Sequence, residues 1–290
     1  MFWDQIANGI SLGMVYALIA IGYSIVFSVL QMMNFAHGDV YTMGTFVSFA
    51  LLDALHVNMA ISILLSLLVG AILAALVEFF AFRPLRKEEW TFSMVTVLGA
   101  GYIIRNAAER FWGSGMKFYP DLVSREAINL WGWKFSSSHL LIMVISVGLL
   151  VAFHFFLNYT KYGQAVLCMA QDITTASLMG IRINRMASLI YAMGGALGVV
   201  GGILYSATYN VIHVGMAFSG TMVAYTAAIV GGVGSLLGAA LGGLIIGVSQ
   251  EVFAAYVSSA YRDVITYIIL IIVLLVRPTG LIRAKTGEKM

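Results

Sequence analysis

Long apolar runs dominate this chain, and they constrain its fold more than any other feature of the sequence. The longer runs reach about 20 residues, the length an α-helix needs to cross roughly 30 Å of hydrocarbon. They predict membrane-spanning helices at Ile6–Leu30, Val40–Leu52, Met59–Phe82, Phe92–Trp112, His139–Leu157, Met186–Ala207, Thr221–Val230, Leu236–Val257 and Val264–Val276. Eight or nine crossings follow, depending on whether the short run at Thr221–Val230 spans the whole bilayer.

Composition excludes a water-soluble fold. Hydrophobic residues make up 61% of the chain, charged residues only 10%, and the mean hydropathy is +0.94. Soluble domains carry about 25% charged residues and cannot hide this much apolar surface from water. Gly, Ser and Thr recur within the runs, which suits helices that pack closely in lipid. The predicted fold class is an all-α polytopic membrane protein, a single domain over residues 1–290 with broken or re-entrant segments.

The distribution of basic residues predicts the orientation. Cytoplasmic loops of membrane proteins are enriched in Lys and Arg. With nine crossings, three basic clusters fall on one side of the membrane: Arg83, Arg86 and Lys87; Lys161, Arg182 and Arg185; and Arg277, Arg283, Lys285 and Lys289. That side is then cytoplasmic and holds the C-terminus, while the N-terminus lies outside. The connection 113–138, which also holds basic residues, falls on the outer side and opposes this count.

A polar segment, Tyr162–Arg185, separates two of the predicted spans. It reads YGQAVLCMAQDITTASLMGIRINR, with helical periodicity and several small residues. Most connections between spans are short, so a longer, helix-like connection on the cytoplasmic side predicts a surface that another protein grips.

A polar break interrupts the apolar pattern at Asn34-Phe35-Ala36-His37-Gly38-Asp39. Backbone freed from helical bonding at membrane depth must face protein or a water-lined path. In one interpretation Asn34, His37 and Gly38 form part of a gate or translocation lining. In the other, the break is a tight turn with His37 bonded to backbone. Asp39 is predicted to be the N-cap of the next helix.

A related spacing recurs at Asn210–Gly215, where Asn210 and His213 precede the short apolar run. We treat these two residues as further candidates for the gate or lining. By the crossing count the two breaks open to opposite faces of the membrane. Inverted repeats with broken helices in matching places are a transporter architecture.

A glycine-rich run follows the short apolar segment and contains Gly231, Gly232, Gly234, Ser235 and Gly238. A phosphate-binding loop would need a preceding strand and a following Lys-Ser/Thr, and both are missing here. The run instead predicts a tight re-entrant turn and close helix packing of the small-xxx-small type.

Ionisable residues are few within the spans. Glu78, Arg105 and Glu251 lie near predicted span ends. Ionisable residues deep in a membrane are candidates for function, but at span ends long side chains are expected to reach the lipid headgroups. The lone Cys168 is expected to be an apolar filler of a helix. We find no spacing typical of a catalytic set or a metal site, so an enzyme is not predicted.

The motifs, taken in chain order, resemble the permease subunit of ATP-binding-cassette importers for branched-chain amino acids, the LivH-like type. The matching residues include Asn34–Asp39, Arg83-Pro84-Leu85-Arg86 after Glu78, Ala170-Gln171-Asp172 with Ala176 and Gly180-Ile181, Gly231–Ser235, and Arg277-Pro278-Thr279-Gly280-Leu281. They cover nearly the whole chain.

The resemblance implies a subunit of a larger importer in a bacterial or archaeal cytoplasmic membrane. It implies a second, homologous permease, two cytoplasmic ATP-binding subunits and an extracytoplasmic substrate-binding protein as partners, besides the lipid bilayer and without nucleic acid. Segment 162–181 would hold the coupling helix that docks on the ATPase. We place this contact at Gly163, Ala170, Asp172, Ala176 and Gly180. No cofactor is expected on this chain, which shows no nucleotide motif.

The chain departs from the family pattern at Gln164 and Leu167, where relatives often carry arginines, so its coupling helix is less basic. The substrate stays open between leucine-like amino acids and urea or short amides. A function of another class, a stand-alone channel or secondary carrier, would need charged or polar residues deep in the spans, and few are present.

Overall fold

Eleven α-helices make up most of the computed structural model, which describes residues 2–86, 88–121, 127–130 and 133–282. The helices are α1 (Phe2–Leu30), α2 (His37–Asp53), α3 (Met59–Leu76), α4 (Trp90–Trp112), α5 (Ser137–Tyr159), α6 (Lys161–Gln171), α7 (Ile173–Leu178), α8 (Ile183–Tyr209), α9 (Met216–Gly231), α10 (Leu236–Tyr256) and α11 (Arg262–Val276). A π-helix at Val77–Phe82 and a 3₁₀ turn at Arg83–Leu85 prolong α3, and a second 3₁₀ turn at Ser259–Tyr261 leads into α11.

Four short strands lie between the helices. The first, β1 (Lys117–Phe118), pairs antiparallel with β4 (Val211–Ile212), with Lys117 opposite Ile212. The other two, β2 (Ala127–Leu130) and β3 (Trp133–Ser136), form an antiparallel hairpin. The β1–β4 pair ties the connection after α4 to the connection between α8 and α9.

Each predicted span coincides with a helix. Among the described residues, six helical stretches are long and apolar enough to cross a membrane, and α9 is a shorter apolar helix. The predicted helical membrane fold is therefore confirmed, while the count of eight or nine crossings is approximate. The break between the first two spans also falls where it was expected, but α2 begins at His37.

The predicted N-cap at Asp39 is wrong. Ala36 occupies the N-cap position of α2 without a side-chain bond, and Asp39 lies within the first helical turn. Its carboxylate instead accepts a hydrogen bond from Nε of Arg105 on α4, at 2.8 Å. The side chain therefore links two helices, a role that local sequence does not reveal.

The chain alternates between two faces of the bundle. Arg83, at the end of the α3 extension, donates to the carbonyl of Asn184 at the start of α8 (3.3 Å). The amide of Leu281, beyond α11, donates to the carbonyl of Val230 at the end of α9 (2.9 Å). We call the face with these ends and with α6 and α7 the basic face, and the face with the N-terminus the outer face. Lys87, Arg283, Lys285 and Lys289 of the predicted clusters lie outside the described residues.

Glycine allows the central helices to touch backbone to backbone. A Cβ at Gly22 of α1 would lie 2.6 Å from the carbonyl oxygen of Gly194 on α8. On the other side of α1, a Cβ at Gly13 would lie 2.7 Å from the Cα of Leu244 on α10. Helices in lipid gain little from the hydrophobic effect, so the van der Waals contacts of such close packing are what stabilise their association. The core of the bundle is therefore α1 between α8 and α10.

The two polar breaks meet inside this core. His37 packs against Gly198, in the middle of the 27-residue α8, so α2 begins well inside the bundle. The Tyr41 hydroxyl of α2 donates to the carbonyl of Met216, the first residue of α9, at 2.6 Å. The two helices thus begin beside each other and run to opposite faces. The contacts of α1 with α10 and of α3 with α8 follow the pattern expected of an inverted repeat.

Candidate functional site

Two short helices connect α5 to α8 at the basic face, and we name them the α6–α7 segment (Lys161–Leu178). Side-chain caps set their ends. Thr160 Oγ accepts a hydrogen bond from the Gly163 amide (3.0 Å), and Asp172 Oδ1 accepts one from the Thr175 amide (2.5 Å). Asp172 also ends α6 in an extended conformation, so it forms the corner between the two helices.

The predicted ATPase-contact residues take different places in this segment. Gly163 is buried against Leu157 of α5 and has no room for a side chain. Ala176 is buried too, while Ala170 and Asp172 are half-buried. Gly180 is exposed with a φ of +84°, a left-handed conformation that favours glycine. The buried members can shape the segment, but they do not form its surface.

Two large apolar side chains, Leu178 at the end of the segment and Met179 directly after it, are exposed, and we name this pair the apolar tip. Leu178 is 84% exposed and Met179 74% exposed, directly after the buried turn of α7 at Ala176. Sequence reasoning missed both residues because it weighed only small and charged ones. At the two positions where the resemblance leads one to expect arginines, Gln164 donates to the carbonyl of Asn158 (2.5 Å) and Leu167 is half-buried.

A buried carboxylate joins the end of α3 to the start of α8. Glu78 lies in the π-helix and is fully buried, and it accepts hydrogen bonds from Arg83 (2.8 Å), Arg86 (2.6 Å) and Ser188 (2.7 Å). Arg86 also donates to the side chain of Asn184 (3.0 Å). We name these five residues the Glu78 cluster. The expectation that Glu78 reaches the headgroups is wrong, because its charge is neutralised inside the protein.

The same correction applies to the other two ionisable residues near span ends. Arg105 pairs with Asp39, and Glu251 pairs with Arg262 of α11 at 2.8 Å. Charges that enter a membrane protein interior commonly pair with one another, since lipid offers no solvation. Each pair here joins two helices.

A cavity of about 250 Å³ opens near the outer face, between α1, α2, α8, α9 and α11. We name it the outer cavity. Its walls combine tyrosines, aliphatic side chains, hydroxyls and charged groups, among them Tyr16, Tyr41, Tyr205, Ile19, Val223, Met216, Ser219, Ser259, His213, Arg262 and Asp263. Such a mixture of apolar wall and a few polar groups is typical of small-molecule sites.

The charges of the outer cavity do not cancel. Arg262 donates to Glu251 and to the Tyr209 hydroxyl, both at 2.8 Å, so its charge is neutralised by Glu251. Asp263 has no hydrogen-bond or ion-pair partner among the residues that the structure describes. Burial lowers the pKa of His213, in the connection between α8 and α9, which disfavours a positive charge on its ring. The cavity therefore carries one uncompensated negative charge.

The five predicted gate residues take three different places in the fold. His213 lines the outer cavity. Asn34 and His37 are buried beside it in the core, where the His37 ring lies edge-on to Tyr41 at 6.2 Å between centroids. Gly38 packs against Ala217 of α9 without space for a side chain.

The fifth gate candidate, Asn210, has a left-handed backbone (φ +54°) and donates to Asp121 (2.6 Å). This bond links the end of α8 to the connection that holds β1 at the outer face. Among the described residues, Asn210 therefore has a contact that stabilises the fold. Its assignment to the lining stays a prediction.

The predicted glycine turn joins α9 to α10 at the basic face. Gly231 and Gly238 pack against each other, while Gly232 (φ +108°) and Gly234 (φ +84°) have left-handed backbones. Ser235 caps α10, its Oγ accepting a bond from the Gly238 amide at 3.0 Å. Within the described residues, no group of three His, Cys, Asp or Glu side chains is placed to hold a metal ion.

Many membrane-spanning helices, two breaks in the core of the bundle and a cavity beside them are features typical of membrane transport proteins. The chain belongs to the family described as branched-chain amino acid transport system / permease component, whose model matches residues 5–274.

Curated relatives cover the whole length of the chain. It is 35% identical to the high-affinity branched-chain amino acid transport system permease protein LivH of Escherichia coli (strain K12), over 100% of this chain and 98% of the relative. It is 32% identical to the permease protein BraD of Pseudomonas aeruginosa, with the same coverage. Among solved structures, PsaBC from Streptococcus pneumoniae in complex with Fab matches at a TM-score of 0.52, covering 96% of both chains at 14% identity, which shows the fold alone.

Proposed function

We propose that this chain is one of two permeases that enclose the path of an ATP-driven importer for branched-chain amino acids. Its partners would be a second homologous permease, two ATP-binding subunits on the basic face and a substrate-binding protein on the outer face. The observation that carries the proposal is the α6–α7 segment with its exposed apolar tip. The relatives that share the full length of the chain, LivH and BraD, support the substrate class.

The tip has the properties of a docking surface. Leu178 and Met179 are adjacent, large and more than two-thirds exposed, and they follow a segment that lies beyond the apolar spans. Scattered apolar side chains are common on protein surfaces, but two exposed neighbours at the C-terminal end of α7 present a compact anchor. An apolar anchor that fills a pocket of the partner is the usual centre of a protein interface.

The contacts of α8 offer a route from this surface to the cavity. Asn184 and Ser188 at its start belong to the Glu78 cluster, and Tyr205 near its end lines the outer cavity. An unbroken helix spans about 25 Å between Ser188 and Tyr205. If an ATPase displaced α7, the start of α8 would move with it, and the rigid helix would carry the movement to the wall of the outer cavity. Alternating access requires such a coupling between the two faces.

The test is transport by the importer assembled from this chain and its cognate subunits in proteoliposomes. Leu178→Asp and Met179→Asp, singly and together, are expected to abolish ATPase co-purification and ATP-driven leucine uptake, because a charge would be buried in the contact. Leu55→Asp is the matched control, since Leu55 is 66% exposed at the outer end of α2. Co-purification of the ATPase with this control should equal that with the wild type.

Two results would contradict the proposal. Co-purification that survives the double substitution would remove the docking role of the tip. Leucine uptake by this chain alone, without ATP or partner subunits, would favour a stand-alone carrier or channel instead.

A further inference from the structure

The outer cavity has a composition that discriminates between substrate classes, and the inference drawn from it rests on the proposed function. Its volume of about 250 Å³ lies below the roughly 300–1,000 Å³ of pockets for drug-sized ligands. A molecule of the size of one amino acid matches this volume better than a peptide or a sugar chain does.

Polar groups of both kinds are open to a ligand there. The Asp263 carboxylate is an acceptor without a partner among the described residues, and the Tyr205 hydroxyl also makes no hydrogen bond to them. Each terminal nitrogen of Arg262 donates one hydrogen bond, Nη1 to the Tyr209 hydroxyl and Nη2 to Glu251. The remaining N–H groups of the guanidinium can donate to a ligand. A carboxylate acceptor close to guanidinium and hydroxyl donors matches the two charged ends of an amino acid.

The remaining walls are apolar. Ile19 of α1 and Met216 and Val223 of α9 contribute aliphatic surface to the same cavity. Burying a branched aliphatic side chain there removes its apolar surface from water, which favours binding. A neutral amide such as urea would make no use of this surface, and it would leave the negative charge of Asp263 without a counter-ion.

We infer that the outer cavity binds a zwitterionic amino acid with an aliphatic side chain. Asp263 receives the ammonium group, Arg262 and Tyr205 donate to the carboxylate, and Ile19, Met216 and Val223 contact the side chain. Within the importer this site accepts the solute from the binding protein on the outer face.

Site-directed labelling tests the site directly. The only cysteine of the chain is Cys168, on α6, so Cys168→Ser removes the background thiol. Ala260→Cys then places one thiol at an exposed lining position of the cavity, and Ser259→Cys provides a second, independent position. The rate of modification by a small thiol reagent is measured on the assembled importer over a titration with leucine.

Leucine is expected to slow the modification, whereas 4-methylpentanoate, which lacks the ammonium group, and urea are not. Asp263→Asn should weaken protection by leucine about ten-fold or more, the loss expected for one charge-assisted hydrogen bond. Asp53→Asn is the matched control, because Asp53 is exposed at the outer end of α2 and away from the cavity. It should leave protection unchanged.

The inference is overturned if leucine protects and is transported by the Asp263→Asn variant as it is by the wild type. It is also overturned if urea slows the labelling as well as leucine does. These results are distinguishable from failure of the proposed function, which is read separately as ATP-driven leucine uptake by the wild-type importer. If the wild-type importer takes up leucine but leucine does not slow the labelling, the proposed site is wrong and the proposed importer function stands. If leucine slows the labelling but no ATP-driven uptake occurs, the site stands and the proposed importer function is wrong.

Discussion

Replacing Glu78 with glutamine should destabilise the protein strongly, although the two side chains have nearly the same shape. The carboxylate accepts bonds from Arg83 at 2.8 and 3.3 Å, from Arg86 at 2.6 Å and from Ser188 at 2.7 Å. Glutamine keeps one acceptor, turns the other into a donor and removes the charge. Both guanidinium groups then lose their counter-ion while they stay largely enclosed.

The expected cost is about 3 kcal/mol in the free energy of unfolding. Breaking a buried ion pair by removing one partner costs roughly 3–5 kcal/mol. The lower end applies here because Arg83 and Arg86 retain bonds to Asn184 and are partly solvated, with 27% and 18% of their side chains exposed. The measurement is unfolding of the purified chain in mixed detergent micelles, followed by circular dichroism.

Two companion variants make the test specific. Glu109→Gln changes an exposed carboxylate of α4 and should shift the free energy of unfolding by less than about 0.5 kcal/mol. Adding Arg86→Gln to Glu78→Gln removes one uncompensated charge, so the double variant should be more stable than the sum of the single effects predicts. A Glu78→Gln variant as stable as Glu109→Gln, or additive effects in the double variant, would refute the reasoning.

Two further predictions concern the packing of the bundle and the α6–α7 corner. Gly22→Ala should cost about 1–3 kcal/mol in the same unfolding assay, because the new methyl meets the backbone of Gly194 at 2.6 Å. Gly148→Ala in α5, with nothing within 4 Å, should be neutral or stabilising by up to about 1 kcal/mol, and equal effects of the two would contradict the packing argument. Asp172→Ala removes the cap of α7 at a cost of about 1 kcal/mol, seen as faster amide exchange throughout α7. The exposed Thr174→Ala should leave that exchange rate unchanged.

The spans could be predicted from sequence because lipid imposes one dominant rule, the length of an apolar run. The breaks could be predicted as well, since a polar stretch such as Asn34–Asp39 is costly in lipid unless the chain turns there against protein or water. How deep a break lies could not be predicted. The depth of His37 is set by its contact with Gly198, a residue far along the chain, and no local pattern encodes such a contact.

The α6–α7 segment shows where local patterns fail at a surface. Its position and helical character follow from periodicity and polarity, but α7 has only six residues. Less than two turns do not define which side faces the bundle, so the sequence alone does not show that Ala176 is buried and Leu178 is exposed. The outer cavity could be predicted still less, because its walls come from five helices that meet only in the folded chain.

Glu78, Glu251 and Asp39 lie within or beside predicted spans. They show why the environment of a charged side chain cannot be predicted from that residue alone. Considered alone, Glu78 or Glu251 at a span end can reach the headgroups, and that outcome costs little. In the folded chain the partner of Glu78 is a few residues away, whereas that of Asp39 is Arg105 on another helix. Pairing is preferred because it satisfies both charges at once and joins two helices, which headgroup contact does not. For each of these three carboxylates the partner is an arginine, and only the fold determines which arginine it is.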